Sequence, residues 1–401
     1  MKSSFRTMLA ASVAGAAFMA AAATAQADDI NIGIILGFTG PIETITPHMA
    51  DAAELAIAEV NASGNFLGGT NVAAVRGDSG CVDSALAQAT AERLITSDNV
   101  VAIMGPDCSG VTRAVLENVA MANGIPMVSP SATSPGFTTF DSGGLFYRTA
   151  PSDARQGELL AEIVSGRGIT EVAVTYTNND YGAGLANAFV ESFEANGGTV
   201  TISIPHEEAR GDYSAEVASL QSAGGDALMV LGYVDGGSNV IRTAWELGAF
   251  EQFFVGDGVF TEEMPNLVGN DAAAAIVGTV PSAVGDAAAN WERIGTEAGI
   301  NWSSSFAGES YDAAALLLLA AQAAGEATPA GIAANILNVA NEPGEEIHAG
   351  DLARGLEILA DGGEINFIGA TNVNLIGPGE AAGTYREYTF EDGAITTVNF
   401  H

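Results

Sequence analysis

The sequence predicts an α/β fold built from two doubly wound parallel sheets, one in each of two lobes. Short apolar runs alternate with amphipathic stretches along the chain, and turns rich in Gly, Pro, Ser and Asp separate them. This alternation is typical of βαβ units, which form parallel sheets with helices on both faces. At 401 residues, the chain also exceeds what a single core usually holds.

The first series of segments predicts the sheet of lobe one. Residues 37–41, Gly-Phe-Thr-Gly-Pro, indicate a loop after its first strand. The predicted strands are 30–36, 72–76, 100–104 and 125–128, and the predicted helices are 51–61, 84–95 and 111–122.

A second series predicts the sheet of lobe two. It begins after residues 148–151, where Pro151 and small residues interrupt the pattern. The predicted strands are 171–176, 199–204, 227–231 and 253–255, and the predicted helices are 154–165, 183–195, 215–222 and 239–247.

A further break around residues 279–281 opens a mostly helical segment. Helices are predicted at 311–324, 330–339 and 351–359, and closing strands at 385–390 and 394–400. Because the segment after the break holds too few strands for a third domain, we expect it to complete lobe one. The predicted lobes are residues 28–149 plus 280–384 and residues 150–279 plus 385–401.

Residues 1–27 are typical of a cleavable secretory signal peptide. Lys2 and Arg6 precede an apolar run over 8–23, and Ala25-Gln26-Ala27 forms a small-residue cleavage site. Because no cysteine follows for a lipid anchor, we expect a soluble product in a Gram-negative periplasm; an uncleaved, retained leader is the alternative. No later apolar run is long enough to span a bilayer, so direct membrane insertion is not expected.

Acidic residues dominate the charge of the chain. There are 49 Asp and Glu against 13 Lys and Arg, which gives a net charge of −36. Removal of the leader takes away two cations and no acid, so the charge falls by two to −38. This balance argues against nucleic acid and anionic lipid as partners. Two explanations stay open, adaptation to a saline setting and a generally soluble surface.

Signals for enzymes, metals and cofactors are weak. Cys81 and Cys108 are the only cysteines, and an even pair in an oxidising compartment predicts one disulfide. The four histidines are scattered without ligand spacing, so no metal site is expected. Residues 182–184, Gly-Ala-Gly, lack the further glycine and acidic partner of a dinucleotide fingerprint, and no P-loop or nucleophile elbow is present. The sequence therefore predicts a protein without catalytic residues or a cofactor.

Hydroxyl-rich loops follow two neighbouring strands of lobe one. Parallel sheets bind their ligands at the carboxyl ends of the strands, so these loops are candidate sites. Ser109 follows the strand at 100–104, where it can cap a helix or hold an anion. Ser131 and Thr133 follow the next strand. Together the loops favour a carboxylate site, with a helix cap and a polar turn as the alternatives.

Lobe two offers the chemistry for an ammonium group. Tyr181 and Tyr233 come directly after strands, and Asp257 lies between two glycines at a strand end. A carboxylate pairs with an ammonium group, and an aromatic face makes cation-π contact with it. Each tyrosine could equally pack in a core or on the surface, and Asp-Gly is also a common turn.

Taken in order, these loops resemble the periplasmic Leu/Ile/Val-binding proteins, the type I solute-binding proteins of branched-chain amino-acid ABC transporters. The resemblance covers nearly the whole chain after the leader. It is carried by Gly40-Pro41, the pair Cys81 and Cys108, Pro130-Ser131-Ala132-Thr133, Asn179-Asp180-Tyr181-Gly182, Gly232-Tyr233 and Tyr311-Asp312-Ala313.

The resemblance implies two lobes joined by a three-segment hinge that close on a small amino-acid-like ligand. It implies delivery of that ligand to ABC transporter permease subunits. Ser109, Ser131 and Thr133 would hold the ligand carboxylate, and Tyr181 and Tyr233 match the family's site tyrosines.

This chain departs from the family at three positions. Asp257 stands where the family has Glu, which is one methylene longer, so the ligand must sit closer or water must bridge. Ser131 replaces Ala, whose role is main-chain. Glu43 follows Gly40-Pro41 and is either solvated or faces the cleft, where an unpaired carboxylate would disfavour an aliphatic ligand.

The sequence thus predicts a periplasmic solute-binding protein of an ABC importer. Two alternatives remain: an amide- or urea-type binding or sensing protein with the same fold, and an α/β enzyme.

Overall fold

The computed structural model describes residues 29–401, so the leader predicted at 1–27 lies outside the described residues. Within this range, the strands form two seven-stranded sheets and one two-stranded sheet. The strands are β1 (Ile30–Leu36), β2 (Val72–Asp78), β3 (Val100–Met104), β4 (Met127–Ser129), β5 (Phe146–Arg148), β6 (Glu171–Thr177), β7 (Thr199–His206), β8 (Ala227–Leu231), β9 (Phe253–Val255), β10 (Ile276–Pro281), β11 (Glu345–His348), β12 (Ile365–Gly369), β13 (Leu375–Ile376), β14 (Glu380–Ala381), β15 (Tyr385–Glu391) and β16 (Ala394–Phe400).

Helices cover both faces of the large sheets. They are α1 (Thr46–Ser63), α2 (Ser84–Thr96), α3 (Ser109–Val115), α4 (Met121–Asn123), α5 (Asp153–Gly166), α6 (Asp180–Ala195), α7 (Ser214–Ala223), α8 (Val234–Glu246), α9 (Met264–Val268), α10 (Asn270–Ala274), α11 (Gly285–Ala298), α12 (Ala307–Ala324), α13 (Pro329–Ala340) and α14 (Leu352–Ala360). A π-helical turn, Leu116–Ala120, joins α3 to α4.

Each large sheet is the centre of one lobe. Lobe one has the strand order β13-β14-β5-β4-β3-β1-β2, and lobe two has β16-β15-β10-β9-β8-β6-β7. The strands from β1 to β5 pair in parallel, as do those from β6 to β10, and β15 then pairs antiparallel with β10. The predicted two-lobed α/β fold is confirmed. The chain passes between the two large sheets after β5, after β10 and after β14.

Apolar residues in the central strands and in α12 form the core. β1 is buried on both faces, as the adjacent and fully buried Ile34 and Ile35 show, because helices pack on either side of its sheet. α12 is buried nearly all round, as expected for a helix that is apolar on every face. No single helix within residues 29–401 is long and apolar enough to cross a membrane; α12 and α13 reach that length and composition only together, across a bend of 107°.

The disulfide predicted between Cys81 and Cys108 is present, with the two Cα atoms 5.2 Å apart. It joins the loop after β2 to the loop after β3. Both loops lie at the carboxyl end of the lobe-one sheet, so the bond stabilises the edge at which the predicted site residues lie.

Several short elements were not predicted. β5 was not predicted, and its last residue, Arg148, lies in the break predicted at 148–151; this side chain is buried and pairs with Glu380 at 2.5 Å. β10 runs through the break predicted at 279–281, so the lobe boundary expected between residues 279 and 280 falls inside this strand. The longer helix α11 was not predicted either, because polar residues interrupt its apolar positions and it begins with glycine.

Candidate ligand-binding site

A cavity of about 30 Å³ lies between the loops at the carboxyl ends of the two sheets. Five predicted site residues line it: Ser109 and Ser131 from lobe one, and Tyr181, Tyr233 and Asp257 from lobe two. The structure therefore brings together side chains that are up to 148 positions apart in the chain (109 to 257).

The loops after β1, β2 and β3 are tied together on the lobe-one side by Asp107. Its buried carboxylate accepts the Gly37 N–H at 2.6 Å, the Cys108 N–H at 2.8 Å and the Ser79 hydroxyl at 3.2 Å. Burial still raises the pKa of Asp107, although these donors oppose the shift. This network positions Ser109 at the start of α3.

The hydroxyl groups predicted to bind a carboxylate occupy different places. Ser109 does not cap α3, because the N-cap residue of this helix is Cys108. The Oγ of Ser109 accepts the Ser134 N–H at 3.2 Å. The Ser131 hydroxyl donates to the Asp107 carbonyl at 3.2 Å. Thr133 is buried but does not line the cavity, and its carbonyl accepts the Asp153 N–H at 2.9 Å.

Tyr181 and Asp257 form the centre of the lobe-two side. The Tyr181 hydroxyl donates to Asp257 Oδ1 at 2.6 Å, and the Gly258 N–H approaches the same oxygen at 2.9 Å. Asn179 caps α6 by accepting the Tyr181 N–H at 3.1 Å, which fixes the ring at the start of the helix. The ring stacks on Tyr233 with centroids 5.2 Å apart.

The glycine after Asp257 is required by close packing. A Cβ on Gly258 would lie 2.6 Å from the Gly232 carbonyl oxygen and 2.8 Å from the Tyr181 hydroxyl. Any larger residue would push the tyrosine away from the carboxylate. The Asp-Gly pair is therefore part of the site's geometry as well as a turn.

Burial is the largest cause of the pKa shifts on the lobe-two side of the cavity. Asp257 is 2% exposed, and loss of hydration raises its pKa to about 6 despite the hydrogen bond from Tyr181. Burial, reinforced by the nearby Asp257, raises the pKa of the Tyr181 hydroxyl well above its ordinary value. Tyr181 is thus a neutral hydrogen-bond donor, and Asp257 changes its charge near neutral pH.

Asp153 is a second buried carboxyl group that the sequence did not reveal. It is the first residue of α5, fully buried, and burial together with the charge of Asp257 raises its pKa well above the ordinary value. Neither of its oxygens accepts a hydrogen bond from any residue between 29 and 401. In the sequence, an acid that follows the N-cap Ser152 indicates only the start of a helix. The perturbed pKa of Asp153 depends partly on Asp257, which is far away in the chain, so the sequence around Asp153 does not predict it.

Three other buried oxygens near Asp257 share this condition, and one of them is the Tyr233 hydroxyl. Thr133 Oγ1 and Gln156 Oε1 are without a hydrogen-bond partner among the described residues, although Thr133 lies close enough to lower the pKa of Asp153. The Gln156 amide nitrogen is already used, because it donates to Thr279. An ionised Asp153 and Gln156 Oε1 are therefore acceptors that lack a donor, whereas the Thr133 and Tyr233 hydroxyls can either donate or accept.

Glu43 does not face the cleft. It is exposed, whereas its neighbours Ile42 and Ile45 are buried and line the cavity. Of the two predicted alternatives, the structure has Glu43 in the solvated position, because the turn after Pro41 directs the two isoleucines inward. Phe306, which no motif had indicated, also lines the cavity, from a left-handed backbone conformation with φ 59°.

Comparison with known proteins identifies the family of this chain. A family model described as periplasmic binding protein matches residues 29–345. The chain belongs to the periplasmic binding protein family. Among curated relatives, a Leu/Ile/Val-binding protein of Rhizobium johnstonii is 30% identical over 275 residues, covering 68% of this chain and 72% of the relative. The resemblance to that group is confirmed.

A second relative within the family aligns over more of the chain. It is a chemotactic signal transduction system substrate-binding protein of Halobacterium salinarum, 27% identical over 388 residues, covering 92% of this chain and 88% of the relative.

Two solved structures have a similar fold. A leucine-binding protein of Thermotoga maritima has a TM-score of 0.77 at 24% identity, covering 92% of this chain and 98% of its own. A solute-binding protein of R. palustris, in complex with 4-hydroxybenzoate, has a TM-score of 0.74 at 18% identity, covering 93% and 97%.

Proposed function

We propose that this periplasmic binding protein binds an amino acid or a closely similar small molecule between its lobes, without chemical conversion. In this proposal, the ligand ammonium group lies against Asp257 in lobe two, and the ligand carboxylate lies at the hydroxyl groups of lobe one.

The observation that carries the proposal is the pair of neighbouring buried carboxyl groups, Asp153 and Asp257. Each resists ionisation because of burial, and Asp257 further opposes the charge of Asp153. An ammonium group brings one positive charge and three N–H donors. It would stabilise the ionised form of the pair and supply donors to an interior that holds unpartnered acceptors.

The opposite end of the cavity supports the carboxylate assignment. Ser109 and Ser131 line it, and the Ser109 Oγ, which accepts the Ser134 N–H, has its own O–H to donate. Between the two polar ends, Ile42, Ile45 and Phe306 provide apolar walls. A zwitterion with a compact apolar side chain suits this distribution. Thr133 is assigned to the ammonium side, next to Asp153.

Binding requires the lobes to move. A cavity of about 30 Å³ has room for roughly two water molecules, so an amino acid enters only when the lobes part. We propose that the two predicted lobes move as units about the three crossings, with the whole of β10 (Ile276–Pro281) in lobe two. Two crossings are joined directly, since the Ser282 N–H donates to the Thr384 carbonyl at 2.9 Å. Closure of this kind is a hinge motion.

Delivery to an ABC importer after secretion into the periplasm completes the proposal. It is supported by membership of the family and by the curated relative that is named a Leu/Ile/Val-binding protein. A sensing role is the second candidate. The Halobacterium relative, which aligns over 92% of this chain, is named for chemotactic signal transduction and favours it.

Calorimetry with matched ligands tests the proposal. We expect leucine to bind, and we expect 4-methylpentanoate, which lacks the ammonium group, and 3-methylbutylamine, which lacks the carboxylate, to bind at least about 30-fold more weakly. A panel of other amino acids, amides and polyamines covers other side chains. If analogues without an ammonium group bind as tightly as their parent amino acids, the protein belongs with amide- or acid-binding proteins and the zwitterion assignment is wrong.

A further inference from the structure

A second, larger cavity lies beside the candidate ligand site. It has a volume of about 140 Å³, and Phe306 lines both cavities. Lobe one contributes Trp291 and Trp302, lobe two contributes Phe260 and Arg386, and the crossing at residues 281–283 closes it. We call this cavity the hinge pocket.

Arg386 is an unusual arginine in so acidic a chain. Among residues 29–401, the only arginines without a carboxylate within 4.0 Å are Arg386 and Arg242. Arg242 is exposed and donates to Asn239 and Leu267. Arg386 is partly buried, and its Nε–H is buried without a partner in the described chain.

The position of Arg386 is fixed by its surroundings. It lies in β15 opposite Val280 of β10, and its guanidinium carbon is 5.0 Å from the centre of the Phe260 ring. Burial lowers the pKa of Arg386, so the site resists its charge. A buried or half-buried charge of this kind is stabilised by an anion with hydrogen-bond acceptors.

A hydroxyl group in the same pocket also has no partner. Ser305 is 4% exposed, and its Oγ makes no hydrogen bond to the part of the protein that the structure describes. Other polar side chains of the pocket are already engaged: the Ser303 hydroxyl bonds Glu262, and the Thr371 hydroxyl donates to Asp312. Arg386 and Ser305 are therefore the residues of the pocket whose buried donors are without a partner among the described residues.

The acid in the pocket does not oppose an anion at neutral pH. Glu309 lines the pocket, and burial raises its pKa to about 8, with Asp312 and Asp257 adding to the shift. Below that pH it is a neutral carboxylic acid, which offers an O–H donor.

We propose that the hinge pocket binds a carboxylate group, held by Arg386 and Ser305, on an aromatic or short aliphatic stem. The rings of Phe260, Phe306 and the two tryptophans cover the stem. The Trp291 Nε1–H is engaged by the Trp302 carbonyl at 3.0 Å, so the tryptophans contribute mainly apolar surface. A cationic occupant is disfavoured by the charge of Arg386.

This inference goes beyond the proposed amino-acid site and does not depend on it. The carboxylate has two sources: a separate small acid, or the distal carboxylate of an amino acid whose ammonium group lies at Asp257 and whose stem passes Phe306. Because walls of the hinge pocket come from both lobes and from a crossing, either occupant stabilises the closed form.

Tryptophan fluorescence and calorimetry on the full mature chain test the inference. The probes are benzoate, a small aromatic acid, and 2-aminoadipate, an amino acid with a distal carboxylate. Arg386→Gln removes the guanidinium, and Arg242→Gln removes an exposed one as the matched control for net charge. Two of the three tryptophans line the hinge pocket, so occupation should change the emission.

We expect at least one probe to bind the wild type and to bind Arg386→Gln about 10- to 100-fold more weakly, with Arg242→Gln unchanged. Ser305→Ala, a milder change, should weaken the same probe by about 2- to 10-fold and guards against misfolding of the arginine variant. If benzoate shows this pattern of binding, the occupant is a separate acid. If only 2-aminoadipate shows it, and Asp257→Asn also weakens the binding of 2-aminoadipate, one ligand spans both cavities.

The inference is overturned if neither probe binds the wild type, or if every probe that binds the wild type binds the folded Arg386→Gln and Ser305→Ala variants equally tightly. A different result would show that the proposed amino-acid site is wrong. In that case leucine and its relatives do not bind, while benzoate binding still depends on Arg386.

Discussion

Replacing Asp257 with Asn separates the binding role of this carboxyl group from its effect on stability. The amide keeps the shape and can still accept from Tyr181, whose hydroxyl now donates to Asp257 at 2.6 Å. It removes the negative charge. If that charge pairs with a buried ligand ammonium group, the variant should lose about 2 kcal/mol of binding free energy or more, at least about 30-fold in Kd.

The same substitution should stabilise the unliganded protein. The folded-state pKa of Asp257, about 6, is raised above its unfolded value, so the ionised form is disfavoured by folding. The cost is absent below pH 4 and fully present above pH 7, where it amounts to roughly 3 kcal/mol. Asp257→Asn removes this cost, so it should unfold at a higher denaturant concentration than the wild type at pH 8 and at a similar one at pH 4.

Calorimetry for binding and urea unfolding for stability measure the two effects. Glu43→Gln is the control, because Glu43 is exposed beside the site and its loss changes the net charge equally. The reasoning is refuted if Asp257→Asn binds leucine within about threefold of the wild type, a difference too small for a buried ion pair. It is also refuted if Glu43→Gln loses as much affinity.

Three further predictions follow from the same geometry. Because burial raises the pKa of Glu309 to about 8, the Glu309→Gln variant should gain stability over the wild type as pH rises from 5 to 9, measured by urea unfolding; equal pH profiles would contradict this. Replacing both Cys81 and Cys108 with Ser should cost about 3 to 4 kcal/mol of unfolding free energy through the lost 27-residue loop closure, and a loss under 1 kcal/mol would argue against it. Gly258→Ala should weaken ligand binding by about 1 to 3 kcal/mol because its Cβ displaces Tyr181, and unchanged calorimetric affinity would show that the loop adapts.

The elements that the sequence predicted best are those with long apolar runs. β1, β3 and β8 begin and end at the predicted residues, because each run is bounded by turn residues. The short strands β13 and β14 have two residues each, too few to show any period. They join lobe one only through pairing with each other and with β5, which is a tertiary effect.

The site was predictable where a loop motif carries it. Ser109, Tyr181 and Asp257 were found because each follows a buried strand, and parallel sheets place such residues at one edge. Asp153 and Arg386 were not predicted, because Asp153 lies at the start of a helix and Arg386 lies within a strand. Their roles arise from burial beside groups that are remote in sequence, which no local pattern encodes.

A crystal structure of the mature protein with the tightest-binding amino acid of the calorimetric panel tests the central claim most directly. The account predicts that the ligand lies between the lobes, with its ammonium nitrogen within about 3.2 Å of an Asp257 oxygen and its carboxylate at the Ser109 hydroxyl. A ligand bound elsewhere, or bound in the cleft with its ammonium group directed away from Asp257, would contradict the account.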